Sequence, residues 1–309
     1  MSKVIIPKAF REKYNKIAPR PKEFFRILEE PLEPSFRICT NKISRNFLIE
    51  RLRAQGWEIE AVPFYKDGFV LKSELRPGLS VEHFMGYIYM QEVVSMIPPV
   101  VLEPKPGELI LDMCAAPGSK TTQISQMIQN KPLILANDVD WRRLKPLKHN
   151  LEKCGCLNVA ISLMDGRAIS KKQKFDKILL DVPCSSEGQI RKDWSVLSRW
   201  SFDYVKKFSS LQKALIDSAF QLLKNGGCLV YSTCTFAPEE NEEVIDFLLR
   251  KYQTAKLEKI CLKGFKIAPG IEEFDGKRYV GEVKFCARIW PHLNNSGGFF
   301  VAKIRKNDV

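Results

Sequence analysis

Two cysteines occupy motifs that end strand-like runs: Cys184 in Asp181-Val182-Pro183-Cys184-Ser185-Ser186, and Cys234 in Ser232-Thr233-Cys234-Thr235. Upstream of both lies Asp112-Met113-Cys114-Ala115-Ala116-Pro117-Gly118-Ser119-Lys120-Thr121, a small-residue loop after an apolar run. Small residues let backbone N–H groups and a helix N-terminus approach an anionic group. The loop has no GxGxxG, and Gly118-Ser119-Lys120-Thr121 lacks the upstream glycine of a P-loop, so a pyrophosphate cradle is disfavoured. A ligand with one carboxylate, such as the methionine part of S-adenosylmethionine, suits it, with Lys120 pairing to that carboxylate. Two later acids fit the nucleoside of the same ligand. Asp138 falls 26 residues past Asp112, where a ribose-binding acid is expected, and Asp165 is placed to accept from an adenine amino group. For either acid alone, the plain alternative is a helix cap or a turn residue.

A thiol near a bound sulfonium suggests one reaction in particular. Carbon 5 of a pyrimidine is too weak a nucleophile to take a methyl group readily. A thiolate adding at carbon 6 converts the ring to an enamine-like species whose carbon 5 can attack. The carbon-5 proton must then leave before the thiol is eliminated, so the site also needs a base. Asp181 is placed to protonate or hydrogen-bond ring N3, and for this it must carry a proton, hence a raised pKa in a closed site. The Asp181–Cys184 loop is similar in position to the Asp/Asn-Pro-Pro-aromatic loop of amino-group methyltransferases, but it ends in a thiol. Methylation of an exocyclic amino group is therefore the competing enzymatic reading.

The elements that must position these groups alternate. Leu109–Leu111, Leu133–Ala136, Val159–Ile161, Lys177–Leu180 and Gly227–Tyr231 are expected strands, separated by helices at Thr121–Ile128, Arg142–Cys154, Ser201–Leu223 and Pro238–Leu249. Such alternation argues for right-handed crossovers and a doubly wound, mostly parallel sheet, whose ligands sit beyond the strands' carboxyl ends. Every unusual motif falls at one of those ends. Phe285–Trp290 and Gly298–Lys303 are expected to form a closing hairpin. Residues 1–34 are expected as a basic helical extension, with Phe10, Tyr14, Ile17, Phe24, Phe25 and Leu28 at helical spacing around Pro19 and Pro21. A strand at Phe36–Asn41, a helix capped by Ser44, and strands at Trp57–Glu60 and Gly68–Leu71 suggest a small β-α-β-type α+β module over 35–78. Arg76-Pro77-Gly78 closes it, leaving 79–309 as the catalytic domain.

Composition sets the class. The 309 residues carry 49 Lys and Arg against 36 Asp and Glu, a net charge of +13 that favours an anionic partner, nucleic acid above all. Nine scattered cysteines are no disulfide framework and fit a reducing, cytoplasmic setting. The start lacks the apolar core of a signal peptide, and no apolar run approaches the roughly 18 residues of a membrane span.

Asp112–Thr121 (DMCAAPGSKT), Phe175–Ser185 (FDKILLDVPCS), Tyr231–Thr235 (YSTCT), Gly86–Met96 (GYIYMQEVVSM) and Arg288–Lys303 (RIWPHLNNSGGFFVAK) together resemble the NOL1/NOP2/Sun family of RNA cytosine-5 methyltransferases. The resemblance runs from about Phe36 to the C-terminus. It implies an α/β, Rossmann-like class I methyltransferase fold with a mostly parallel seven-stranded sheet and a small N-terminal α+β module that binds RNA. It implies Cys234 as the attacking nucleophile, Cys184 as an aid to product release, and Asp181 and Lys120 beside them. It further implies S-adenosylmethionine contacts from Cys114, Ala115, Ala116, Pro117, Gly118, Ser119, Lys120, Asp138, Asp165 and Asp181, with Arg143 added. Ser186 and Ser119 depart from the family's commoner small residues. The expected partner is RNA, tRNA ahead of rRNA, acted on by a monomer without metal or membrane. The reading from another class is a catalytically idle RNA-binding assembly factor.

Weaker signals complete the set. Cys154-Gly155-Cys156 offers two zinc-type ligands but no partner pair, and His83, His149 and His292 are dispersed, so packing is expected there. Glu239, Glu240, Glu242 and Glu243 cluster at a helix start, where acids complement the dipole. His292 is expected to be structural. Arg191, Lys192 and Trp194 follow the Cys184 loop and could hold an RNA phosphate and base as readily as form plain surface.

Overall fold

The computed structural model describes residues 5–131 and 133–308; residues 1–4 of the expected extension lie outside the described residues. The extension forms two short helices, Lys8–Ile17 and Pro21–Leu28, the second started by a proline in its first turn. Their apolar positions face inward. Phe10, Tyr14, Phe24, Phe25 and Leu28 are buried against Ile190, Val196, Leu197, Phe236 and Trp290 of the catalytic domain. At about 1.5–3 kcal/mol per large side chain, that burial outweighs what two isolated helices of this length could hold together themselves.

The small module is an antiparallel sheet of β1 (Ser35–Ile38), β2 (Ile59–Ala61), β3 (Gly68–Leu71) and β4 (Ile88–Met90), in the order β2-β3-β1-β4. The helix Arg45–Ala54 packs Leu48 and Leu52 onto Phe36, Ile38, Trp57, Phe69 and Leu71. Ser44 stands at its N-cap position but its side chain makes no cap hydrogen bond. The module runs past the boundary expected at residue 78. β4 pairs with β1 in the register Phe36↔Met90, so the sheet is completed by a segment from beyond the Arg76-Pro77-Gly78 turn. β1 and β2, on either side of the helix, each pair antiparallel with β3, so they run parallel to one another with β3 between them, a split form of the expected β-α-β unit. The other side of β1 meets the catalytic domain. Arg37, fully buried, donates from Nε to Gln91 Oε1 at 3.0 Å and from Nη2 to Thr122 Oγ1 at 2.7 Å, and Nη1 bonds Gln126.

The catalytic domain contributes β5 (Ile110–Asp112), β6 (Ile134–Asp138), β7 (Val159–Leu163), β8 (Phe175–Asp181), β9 (Leu223–Thr233), β10 (Ala255–Glu258), β11 (Ala268–Pro269), β12 (Glu273–Phe274), β13 (Lys277–Arg278), β14 (Ala287–Ile289) and β15 (Phe299–Lys306). The large sheet has the order β11-β14-β15-β9-β8-β5-β6-β7, with β10 also on β15. The five strands from β7 to β9 are parallel; β15, β14, β11 and β10 are antiparallel. The expected closing hairpin is therefore β14 with β15. The sheet has nine strands rather than seven, because two short segments, β10 and β11, pair at its far edge. β12 and β13 form a separate hairpin around Asp275-Gly276, both with positive φ, as a tight right-twisted turn requires.

Helices cover both faces, which is why β8 is a nearly unbroken buried run and not an alternating one. Phe202–Leu222 and Glu242–Lys251 bury Leu215, Ile216, Phe220, Val244, Ile245 and Leu248 on one face. Residues 94–102 and the helix Ser119–Met127 bury Val94, Ile97, Leu102 and Ile124 on the other. The direction in which successive strands are added reverses at β5, which has β6 on one side and β8 on the other, all three running parallel. The crevice at such a reversal is where an open α/β sheet holds its ligand, and the loop Asp112–Gly118 leaves β5 into it.

Candidate active site

The order β9-β8-β5 sets three motif loops side by side. Asp181 ends β8, in register with Ser232 of β9. The Ser232 hydroxyl donates to Asp181 Oδ1 at 2.7 Å, and Lys120, at the start of the helix after β5, places Nζ 2.6 Å from Asp181 Oδ2. Burial works against the Lys120 charge, but Asp181 more than offsets it and pushes the ammonium's pKa up. The sequence expectation gave Lys120 a ligand carboxylate and Asp181 a proton of its own. The structure pairs the two with each other, the Ser232 hydroxyl donating to the other carboxylate oxygen.

One loop turn beyond, Cys184 Sγ and Cys234 Sγ lie 3.1 Å apart. They are not equivalent. Cys184 is buried, whereas Cys234 is half-buried. The Cys184 thiol is pushed well up, first by its hydrogen bond to Cys234 and then by burial. Close backbone approach holds the loops together. Gly188 N–H donates to the Cys234 carbonyl at 2.8 Å and Gly298 N–H to the Gly188 carbonyl at 2.9 Å. A Cβ built on Gly188 would sit 2.0 Å from the Gly298 oxygen, so no larger residue fits.

Two buried carboxylates that sequence reasoning did not place in the site flank the thiols. Glu240 accepts from Ser185 N–H at 3.0 Å, from the Ser185 hydroxyl, and from Gln212 Nε2 at 2.8 Å. Burial pushes its carboxyl up to about 7. Glu187, fully buried, accepts from Thr235 Oγ1 at 2.8 Å and from Phe236 N–H at 3.1 Å. Glu240 sits in the acidic cluster read as dipole complement, and nothing in its spacing separates that role from this one. Asp112, at the end of β5, is also buried, takes a 2.7 Å hydrogen bond from Thr121 Oγ1, and is raised to about 7 by burial.

A cavity of about 220 Å³ opens beside this centre, lined among others by Cys114, Asp138, Val139, Arg143, Asp165 and Pro183. Asp138 ends β6 and accepts from Ala116 N–H at 3.1 Å, with Arg143 Nη1 at 3.3 Å. Arg143 also donates to the Ala116 carbonyl at 2.6 Å, tying the cofactor-type loop to β6. Within that loop Ala115 N–H donates to the Asn137 carbonyl at 2.8 Å, the Pro117 carbonyl accepts from Asn150 Nδ2 at 2.8 Å, and Ser119 begins the helix. Gly118 has φ +98°, and a Cβ there would meet Leu147 at 2.8 Å, so glycine is required. Burial pushes the Cys114 thiol up, which suits a wall residue and not a nucleophile. Asp165 reaches the rim but accepts from Arg167 Nε at 2.9 Å and caps Arg167 N–H at 2.9 Å, and the Arg167 pairing holds its carboxyl below the usual range.

The profile of the 16S rRNA methyltransferases RsmB/F matches residues 99–305, and that of the N-terminal domain of RsmF matches residues 6–93. The chain belongs to the RsmB/F methyltransferase family. It is 45% identical to the tRNA (cytosine(49)-C(5))-methyltransferase of Pyrococcus abyssi, over 97% of this chain and 96% of that one. It is 42% identical to the ribosomal RNA small subunit methyltransferase F of Shewanella amazonensis, over 89% of this chain but only 58% of that relative's length. Among solved structures, a methyltransferase homolog protein from Pyrococcus horikoshii matches with a TM-score of 0.87 at 37% identity, covering 97% of this chain and 95% of that one. NSun6 from Pyrococcus horikoshii with SFG matches with a TM-score of 0.84 at 27% identity, covering 98% and 99%. The resemblance read from the five motifs and the class I methyltransferase fold are both borne out.

For this family member several weaker readings resolve structurally. Arg191 does not face solvent: it is buried and donates to the Ser296 carbonyl at 3.0 Å, the Pro31 carbonyl at 3.1 Å and Asn295 Oδ1 at 2.8 Å. Trp194 donates to the Leu28 carbonyl at 3.1 Å. Both hold the N-terminal segment, which leaves the exposed Lys192 as the member of that run open to a partner. His292 packs edge-on to Phe24. Cys154 pairs with Cys39 of the small module, Sγ to Sγ 3.6 Å, and among the described residues no cluster of side chains suits a metal. Among them, too, no helix is long and apolar enough to cross a membrane.

Proposed function

We propose that the chain transfers a methyl group from S-adenosylmethionine to carbon 5 of cytosine in RNA, with tRNA the preferred substrate. The observation that carries this reading is the thiol pair, 3.1 Å apart and next to the Lys120–Asp181 pair. Methylation of an amino group needs no thiol, and an idle assembly factor needs neither thiol nor buried ion pair.

The residues beside the thiols fit the methyl donor. The cavity has apolar walls with Asp138 and Asp165 at its edge, suited to a heterocycle and a diol. When bound, S-adenosylmethionine supplies an electrophilic methyl group to the cleft. Asp138 would hold its ribose, and the loop 114–120 its amino-acid part, as the family resemblance implies.

The chain's own residues do the rest. Cys234, as thiolate, forms a bond to carbon 6 of an unstacked cytosine, and the Asp181–Lys120 pair supplies the hydrogen bond and proton that N3 takes up. Carbon 5 then takes the methyl group as that group's bond to the donor sulfur breaks. The carbon-5 proton leaves to a base, the electron pair left behind re-forms the ring double bond and expels the Cys234 sulfur, and N3 returns its proton to the Asp181–Lys120 pair. The Cys184 thiol, held protonated by that same contact and by burial, donates to the departing sulfur. The base must first leave its stack, because carbon 6 is inaccessible within a helix.

The choice of tRNA is supported by the Pyrococcus abyssi relative, which matches end to end, whereas the Shewanella amazonensis rRNA enzyme is matched over little more than half its length. The test is incubation of tRNA and 16S rRNA transcripts with isotope-labelled S-adenosylmethionine. Bisulfite sequencing locates the product, with position 49 of tRNA examined first. Absence of 5-methylcytidine from both RNAs defeats the reading; label in rRNA alone defeats the tRNA preference.

A further inference from the structure

The N-terminal helices touch the reaction centre from behind, through one carboxylate. Glu187 lies three residues after Cys184, and its partners come from three separate parts of the chain. Thr235 and Phe236, directly after Cys234, donate to it at 2.8 and 3.1 Å; Trp200 Nε1 donates at 2.5 Å; and the Tyr14 hydroxyl of the first helix donates to the same oxygen as Thr235. Tyr14 and Glu187 are both fully buried. A carboxylate in that setting is tolerable only while its donors stay in place.

The rest of the helix pair presses on the same spot. Phe236 lies 5.2 Å from the Phe24 ring and 5.8 Å from the Tyr14 ring, and stacks on Trp290 at 5.3 Å. Lys13, buried, pairs with Glu239 at 2.8 Å, just before Glu240. The loops that carry the two thiols are thus joined to each other by Glu187, and Glu187 is joined to the helix pair by Tyr14.

We propose that the N-terminal helix pair is a positioning element of the thiol pair, acting through the Tyr14–Glu187 hydrogen bond. Tyr14 and Glu187 are positioning residues: they set the distance and direction of Cys184 and Cys234 and touch neither RNA nor methyl donor. This rests on the assignment of the two cysteines as the reaction centre. Chemistry that depends on one sulfur meeting one ring carbon is sensitive to position: about 1 Å of misplacement can cost about 100-fold in rate.

The decisive variant is Tyr14→Phe, which removes one oxygen and leaves the ring packing. Trp200→Phe removes a second donor from Glu187 and serves if Tyr14→Phe does not fold. Each is measured for kcat, for KM of tRNA, for the rate of adduct formation with 5-fluorocytosine RNA, and for the pH profile of Cys234 alkylation by iodoacetamide. We expect kcat and adduct rate to fall about tenfold, KM to stay within about twofold, and the alkylation profile to shift. Unchanged kcat and alkylation profile overturn the proposal, as does a loss confined to KM, the signature of a helix pair that only docks RNA. Alkylation needs no RNA, so it reports on positioning even if the wild-type chain forms no 5-methylcytidine, the result that defeats the proposed function instead.

Discussion

Cys184 Sγ stands 3.1 Å from Cys234 Sγ although 50 residues separate them in the chain. β8 and β9 are parallel neighbours, so both sulfurs leave the sheet at the same edge, one buried and the other half-buried. The difference in burial supports the roles proposed for them. Cys234→Ala should abolish methyl transfer and leave no adduct on RNA. Cys184→Ala should stall at a denaturant-stable protein–RNA complex, visible as a retarded band after heating in detergent. The opposite pattern would exchange the two assignments.

Asp138 bridges Ala116 and Arg143 at the edge of the nucleoside-sized cavity. Asp138→Ala should weaken S-adenosylmethionine binding by about 10- to 100-fold, the value of one or two hydrogen bonds to a charged group. Titration calorimetry with S-adenosylhomocysteine measures this directly. Unaltered affinity would place the ribose elsewhere.

Glu240 is buried beside Glu187, and its carboxyl is raised from an ordinary 4.5 to about 7, first by burial. A carboxyl raised in the folded state adds stability that is complete below its unfolded value and is lost as pH climbs through the folded one. Asp112, raised to about 7 by burial, acts in the same direction. The wild-type thermal midpoint should therefore fall between about pH 5 and about pH 8. Glu240→Gln, neutral throughout, should remove up to about 3 kcal/mol of that dependence. Parallel midpoint-against-pH curves for the two proteins would refute it.

Arg288 and Glu242 form a buried pair, Nε to Oε1 2.5 Å and Nη2 to Oε2, and Arg288 Nη1 donates to the Phe236 carbonyl at 2.9 Å. Removing one partner strands a charge. Arg288→Met should cost about 3–5 kcal/mol in urea unfolding, whereas Arg288→Met combined with Glu242→Gln should recover part of the loss. A single variant as stable as wild type would mean that water reaches Glu242.

What could be read from the chain alone was local or periodic. Apolar runs announced β5, β6, β7, β8 and β9 to within a few residues, and the helices between them followed from 3.6-residue spacing. The motif loops announced their own chemistry, because small residues before a helix and thiols after strands carry it in the residue types. Pairings across long separations were not legible. No local pattern says that β5 lies between β6 and β8, that Ile88–Met90 completes the small sheet, or that β10 and β11 extend the large one. For the same reason nothing in the residues around Lys120 reveals that its side-chain partner at 2.6 Å is Asp181, 61 residues away. Arg191 and Trp194 carry charge and aromaticity that suit RNA equally well, and only burial against the N-terminal segment decides for structure. Residue types set which reactions are open to this protein. The tertiary structure decides which groups meet, because burial and long-range strand pairing are properties of the assembled chain and of no segment within it.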